Sequence, residues 1–201
     1  MKPQPRFHNA LYLVGASLLA GLMLVAMILA MPATASEQTI SAGTTVWLDG
    51  PAGAVGVDDE ITVTIRISDV VDFYGIEVGL HFTPTDMVVV DADGETPGVQ
   101  IAVADCPIPD FLLTNAADNM AGTIEYVVTQ LNPTPPFSGS CSVAHIRFKT
   151  LQETSTGVRF ASLILADSEG SQIPAETVDL TLDIGSGYYY SYVPLVIGKA
   201  N

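Results

Sequence analysis

Between Glu60 and Phe82 the sequence alternates apolar and polar residues in two runs: Ile61, Val63, Ile65 and Ile67 against Thr62, Thr64 and Arg66, then Ile76, Val78, Leu80 and Phe82 against Glu77, Gly79 and His81. A period of two places successive side chains on opposite faces of a strand, so each run has one core face and one wet face. A slip of one residue would bury Arg66. Ala144, Ile146 and Phe148 repeat the pattern against His145, Arg147 and Lys149. Further strands are expected at Thr45 to Leu48, Met87 to Asp91, Gln100 to Val103, Phe111 to Asn115, Thr123 to Thr129, Val158 to Leu165 and Val178 to Ile184. No window of this region sustains the i, i+3, i+4, i+7 spacing of a helix. The 17 Gly and 13 Pro fall mostly between the runs, as in Asp49 to Gly56, Gly94 to Gly98 and Asn132 to Gly139. About nine strands at this spacing predict an all-β chain folded as a two-layer β-sandwich. A closed barrel is the alternative, but no Gly kinks recur at corner spacing.

The start of the chain is of another kind. Lys2 and Arg6 precede an apolar run from Ala10 to Met31, followed by Pro32, Ala33, Thr34 and Ala35. A basic end, an apolar helix-forming stretch and an A-x-A site describe a secretory signal peptide over residues 1–35, cleaved after Ala35. The run is also long enough to span a bilayer, which leaves a retained N-terminal membrane anchor as the alternative. Residues 36–43 then read as a linker and 44–185 as the sandwich. Either reading exports that module, to the medium or to the cell surface.

All 22 Asp and Glu lie beyond the leader, where five Lys and Arg remain, so the exported part carries a formal charge of −17. Such a field repels nucleic acid and anionic lipid and leaves neutral polysaccharide or a basic protein face as partners. Arg147 and Lys149 share a strand face with His145, and cross-strand ion pairing is their expected work. On the last strand Asp179, Thr181 and Asp183 are expected to face solvent and Val178, Leu180, Leu182 and Ile184 the core.

Catalytic patterns are missing: there is no G-x-S-x-G, no H-E-x-x-H, no Walker loop and no G-x-G-x-x-G, and no catalytic pair can be assigned. Asp91, Asp93 and Glu95 resemble half a calcium loop, yet in that register Val89 would be the first ligand and Gln100 the last. This segment and Asp167 to Gly170 therefore read as polar turns, with calcium the lesser reading and no cofactor expected. Cys106 and Cys141 are the only two cysteines, and in an oxidising compartment an even count predicts a disulfide between them. Asn132 to Phe137, N-P-T-P-P-F, forms a stiff connector whose ring is expected to pack on the core. Trp47, the sole tryptophan, is also expected in the core.

The order of segments, "DEITVTIRISDVVDFYGIEVGLHFTPTDMVVVDADG", "GTIEYVV", "CSVAHIRFKT", "VRFASLILADSEGSQIP" and "VDLTLDIG", resembles a cohesin domain. The likeness covers about residues 44 to 185, and its most specific parts are the F-x-P-x-D-M-V-V-V passage and the turn after Leu165. It implies a jelly-roll sandwich related to cellulose-binding modules, and a non-catalytic module whose partner, a dockerin, carries the calcium. In that family an acidic residue of the "YGIEVGLHF" strand meets the dockerin, and Glu77 holds that position. The resemblance then makes Gly75, Gly79 and His81 contacts on the same strand face, with Glu125 and Val127 on the neighbouring strand. Gly75 stands where cellulosomal members commonly have a hydrogen-bonding side chain, which weakens the dockerin inference. The kinship with cellulose-binding modules raises a second possibility, direct carbohydrate binding, which requires a planar row of exposed aromatics. The tail over 186–201, rich in tyrosine, ends in Y-V-P-L-V-I-G-K-A-N without an LPxTG-type motif. It reads either as an end without structure or as a signal for surface attachment.

Overall fold

A computed structural model of the chain describes residues 43–185. The readings of a leader, of its cleavage and of an aromatic tail lie outside those residues. The described chain contains no helix and twelve strands: β1 Thr44–Asp49, β2 Val55–Gly56, β3 Glu60–Phe82, β4 Met87–Val89, β5 Ala102–Val103, β6 Phe111–Asp118, β7 Thr123–Thr129, β8 Phe137–Thr150, β9 Thr154–Asp167, β10 Gln172–Ile173, β11 Ala175–Val178 and β12 Leu180–Gly185.

The organising element is β3. Its 23 residues include both alternating runs, which the sequence pattern reads as separate strands and the structure joins into one. The first half pairs with β1 on one side and β8 on the other, while Phe73 to Phe82 pair with β9 and β7. The chain passes from one layer to the other where the register with β8 shifts, between Ile67 and Val70 and again between Val70 and Phe73. Asp69 and Asp72 adopt φ of 55° and 59° in this stretch, a left-handed geometry that a short polar side chain tolerates better than a β-branched one. These irregularities change the parity of the buried positions. Ile61, Val63, Ile65 and Ile67 point inward before them, Ile76, Val78, Leu80 and Phe82 after them, so both halves feed one core.

One layer therefore holds β11, β1, the first half of β3, β8 and the short strands β4 and β5. The other holds β12, β9, the second half of β3, β7 and β6. Phe82 of one layer meets Phe148 of the other edge-to-face, with ring centroids 5.3 Å apart. Phe137 packs against the core as expected.

Two expectations fail near the ends of the sandwich. Trp47 is only partly buried, because it alternates with the inward-pointing Val46 and Leu48 and so stands on the outer face. Val178 is 53% exposed rather than buried. The stretch from 178 is not one strand: β11 runs parallel to β1, the chain turns at Asp179, and β12 joins β9 in the opposite layer. The Asp179 carboxylate accepts the Phe160 amide at 2.9 Å, fixing that turn. Leu182 and Ile184 are buried as expected, and Leu180 is half-buried.

Cys106 and Cys141 are bonded, with Cα atoms 6.2 Å apart. The bond ties β8 to the segment leading into β6. Both acidic segments are turns: Asp91 and Asp93 accept the amides of Asp93 and Glu95, and Asp167 accepts those of Glu169 and Ser171. Among the described residues no group of three or more His, Cys, Asp or Glu is arranged to hold a metal ion.

Candidate functional site

The six residues singled out as contacts fall on one surface. Antiparallel pairing sets Gly75 opposite Thr129, Glu77 opposite Val127, Gly79 opposite Glu125 and His81 opposite Thr123. Since Ile76, Val78 and Leu80 of β3 and Ile124, Tyr126 and Val128 of β7 face the core, alternation turns these partners outward. Glu77, His81 and Glu125 are exposed, Gly79 and Val127 half-buried, and Gly75 is covered. An added Cβ at Gly75 would stand 3.0 Å from the Thr129 hydroxyl, which is what closes over it. Gly75, a contact in the resemblance, is thus covered by Thr129.

Two strands add residues that alternation alone does not reveal. On β9, Ser162 lies opposite Gly79 and Ile164 opposite Glu77, but Leu80 pairs with Phe160, so Ala161 is an extra residue pushed outward. On β6, Leu112 pairs with Val128 and Thr114 with Val127, leaving Leu113 as the extra residue. A β-bulge re-aims side chains in this way, here on β9 and on the edge strand β6. The bulge residue Leu113, 56% exposed, joins Phe111 at 53% and Ile164 at 45% in a partly apolar surface. Period-two reading misses Ala161 and Leu113 because each bulge breaks the period. A shallow depression of about 470 Å³ lies over the middle of this face, bordered by Glu77, Gly79, His81, Leu113, Glu125 and Ser162.

Neither Glu77 nor Glu125 enters an ion pair or a hydrogen bond among the described residues. Glu77 and Glu125 are diagonal neighbours across the β3–β7 pair, where side chains stand about 7–8 Å apart. Arg159, opposite His81 at one end, is the only Lys or Arg close to them on these strands. The two ends of β6 are held by carboxylates. Asp110 accepts the Leu131 amide at 3.0 Å, and Asp118 accepts those of Met120 and Ala121 at 2.8 and 2.9 Å. The Leu131 amide and the Thr134 hydroxyl hold Asp110 below the usual carboxylate range, and the Ala121 and Met120 amides do the same for Asp118.

On the opposite outer face the basic side chains are matched. Arg66 pairs with Asp49 at 3.1 Å, Lys149 with Asp58 at 3.2 Å, and Arg147 stands 4.0 Å from Glu60 while donating to the Asp91 carbonyl at 2.7 Å. His145 and Thr64 share a hydrogen bond at 3.0 Å. A larger open groove, about 1110 Å³, runs along β2 and β12 past Asp59, Glu153 and Asp183 to Gly185, where the described chain ends. None of the six predicted contacts borders it. The planar aromatic row that carbohydrate binding requires is absent among the described residues, where Phe111 is the only exposed ring.

The fold is shared with solved structures at low sequence identity. A type II cohesin domain from the cellulosome of Acetivibrio cellulolyticus superimposes with a TM-score of 0.61 at 16% identity, over 70% of this chain and 95% of that one. The fold is that of a cohesin module. A non-cellulosomal cohesin from the archaeon Archaeoglobus fulgidus gives 0.55 at 17% identity, over 72% of this chain and 93% of its own. The cohesin in a type II cohesin–X-dockerin complex from Acetivibrio cellulolyticus gives 0.58 at 16% identity, over 67% and 95%. No protein-family model matches the sequence, and no curated protein does. The cohesin-type sandwich and the Cys106–Cys141 bond thus agree with the expectations from sequence.

Proposed function

We propose that this chain is an exported, non-catalytic recognition module that binds a dockerin-type protein on the outer face of β9, β3, β7 and β6. The carrying observation is the state of that face: two glutamates, Glu77 and Glu125, without an ion pair among the described residues and set among exposed aliphatics on a sheet. A preformed sheet needs little ordering on association, so modest contacts suffice for affinity. The cohesin fold supports the reading, since one cohesin of the same fold occurs in a complex with an X-dockerin. Export rests on the basic end, the apolar run to Met31 and the Ala33-x-Ala35 site, and it accords with the paired cysteines.

The test is capture from a panel of type I and type II dockerin modules, with insoluble cellulose as the carbohydrate control. A dockerin should be retained and cellulose should not. Glu77→Lys should then weaken binding about tenfold or more while moving the melting temperature by no more than about 1–2 °C, because an exposed charge contributes little to stability. Retention on cellulose with no dockerin bound would refute the reading.

A further inference from the structure

Several observations on the central depression converge on the chemistry of what enters it. Its floor is Gly79, the one β3 position there without a side chain. A Cβ at that position would lie 2.6 Å from the Ser162 hydroxyl, so the glycine is what lets Ser162 lean over β3 from β9. The walls are the two bulge residues, Ala161 on one side and Leu113 on the other. The rim carries Glu77 and Glu125, diagonal to one another and in no ion pair among the described residues. An aliphatic stem thus meets Leu113, Ala161 and the glycine backbone, while its head meets two carboxylates and a hydroxyl acceptor.

From this geometry we infer that the partner anchors on this face through one arginine side chain seated in the Gly79 depression. The inference deepens the proposed protein-binding role and rests on that reading. Arginine fits better than lysine because its planar fork can donate to both glutamates at once, whereas an ammonium is a single point charge with a larger hydration penalty. The methylenes cover the apolar walls in the manner of a partly buried long side chain. A second copy of this chain is disfavoured as the occupant, since each carries a formal charge of −15 and has few cations to offer.

The depression can be probed without any dockerin. The full chain is titrated with N-acetyl-arginine amide, with the norleucine and lysine analogues alongside, and backbone amide shifts are followed by NMR. Saturable shifts confined to Gly79, Ser162, Glu125 and Leu113 are expected with arginine, weaker ones with lysine, and none with norleucine. Gly79→Val, which fills the depression, and the doubly conservative Glu77→Gln with Glu125→Gln should each weaken the arginine response about tenfold or more. The glutamine pair keeps shape and fold, so it remains informative should the valine disturb β3. Shifts spread over the acidic surface and indifferent to Gly79→Val, an equal response to norleucine, or no response at all would overturn the inference. Capture of no dockerin together with an intact arginine response would instead refute the proposed partner and leave the anchor standing.

Discussion

The two outer faces of the sandwich are built from the same strand and treat charge in opposite ways. On the outer face of β1, the first half of β3 and β8, three of the four Lys and Arg of the described chain, Arg66, Arg147 and Lys149, are matched by Asp49, Glu60 and Asp58. On the face of the second half, Glu77 and Glu125 have no match among the described residues, and aliphatic side chains stand in water beside them. A face that satisfies its own charges gains little from a partner. A face with unmet charge and exposed apolar area gains from one that supplies both, so the contrast supports the proposed recognition surface more than any single residue does.

The largest way to strain the comparison is to cut the link between the faces. Replacing both Cys106 and Cys141 by Ser should cost about 3–4 kcal/mol, the chain-entropy value for a loop of this length, and lower the melting temperature by roughly 10 °C in calorimetry. Because the bond ties β8 to the segment before β6, amide exchange should rise first at Phe111 to Leu113. An unchanged melting temperature would show that the bond carries no such load.

Next in size is the apolar part of the proposed recognition face. Leu113→Ser and Ile164→Ser should each weaken a captured dockerin by about 1–2 kcal/mol and leave stability within about 0.5 kcal/mol, because both side chains are exposed in the free module. Isothermal calorimetry and urea unfolding separate the two effects. Equal losses in both experiments would make these residues structural and remove the contrast between faces.

Tyr126 sharpens the comparison from beneath. It is fully buried under the proposed recognition face, its hydroxyl has no partner among the described residues, and burial pushes its pKa up to about 12. The folded state therefore holds this proton more tightly than the unfolded chain, whose tyrosine titrates near 10. The stability this provides is fully present below pH 10 and falls as pH rises from about 10 to 12, at up to about 1.4 kcal/mol per pH unit. Tyr126→Phe should match or exceed the wild type by up to about 1 kcal/mol at pH 7, since an orphan hydroxyl is removed, and should lack this decline. Urea unfolding at pH 9 and pH 11 for both proteins is the check, and parallel declines would contradict it.

The smallest expected effect lies on the charge-matched face. Lys149→Ala and Arg66→Ala should each change stability by a few tenths of a kcal/mol, the usual scale for exposed ion pairs, and leave dockerin binding untouched. A loss of binding in either would place the partner on the wrong layer.

Much of this architecture was legible in alternation. The run from Thr123 to Thr129 matches β7 residue for residue, and the outward set Glu77, Gly79, His81, Glu125 and Val127 follows from simple parity. What parity cannot carry is an interruption of parity. The joining of 61–67 and 76–82 into one strand depends on register shifts around Asp69 and Asp72, and the outward turning of Ala161 and Leu113 depends on bulges. Each is one extra residue, invisible in a pattern whose only variable is odd or even. Trp47 and Val178 were misplaced for a related reason, as hydrophobicity at an outer or strand-end position records no burial by itself.

The most direct measurement of the central claim is a hydrogen-exchange footprint of the full chain with a captured dockerin. Protection is expected at residues 75–81, 123–129, 111–116 and 161–164, with 60–66 and 145–149 unchanged. Protection of the charge-matched face, or of the groove along β2 and β12 in place of the sheet, would contradict the account.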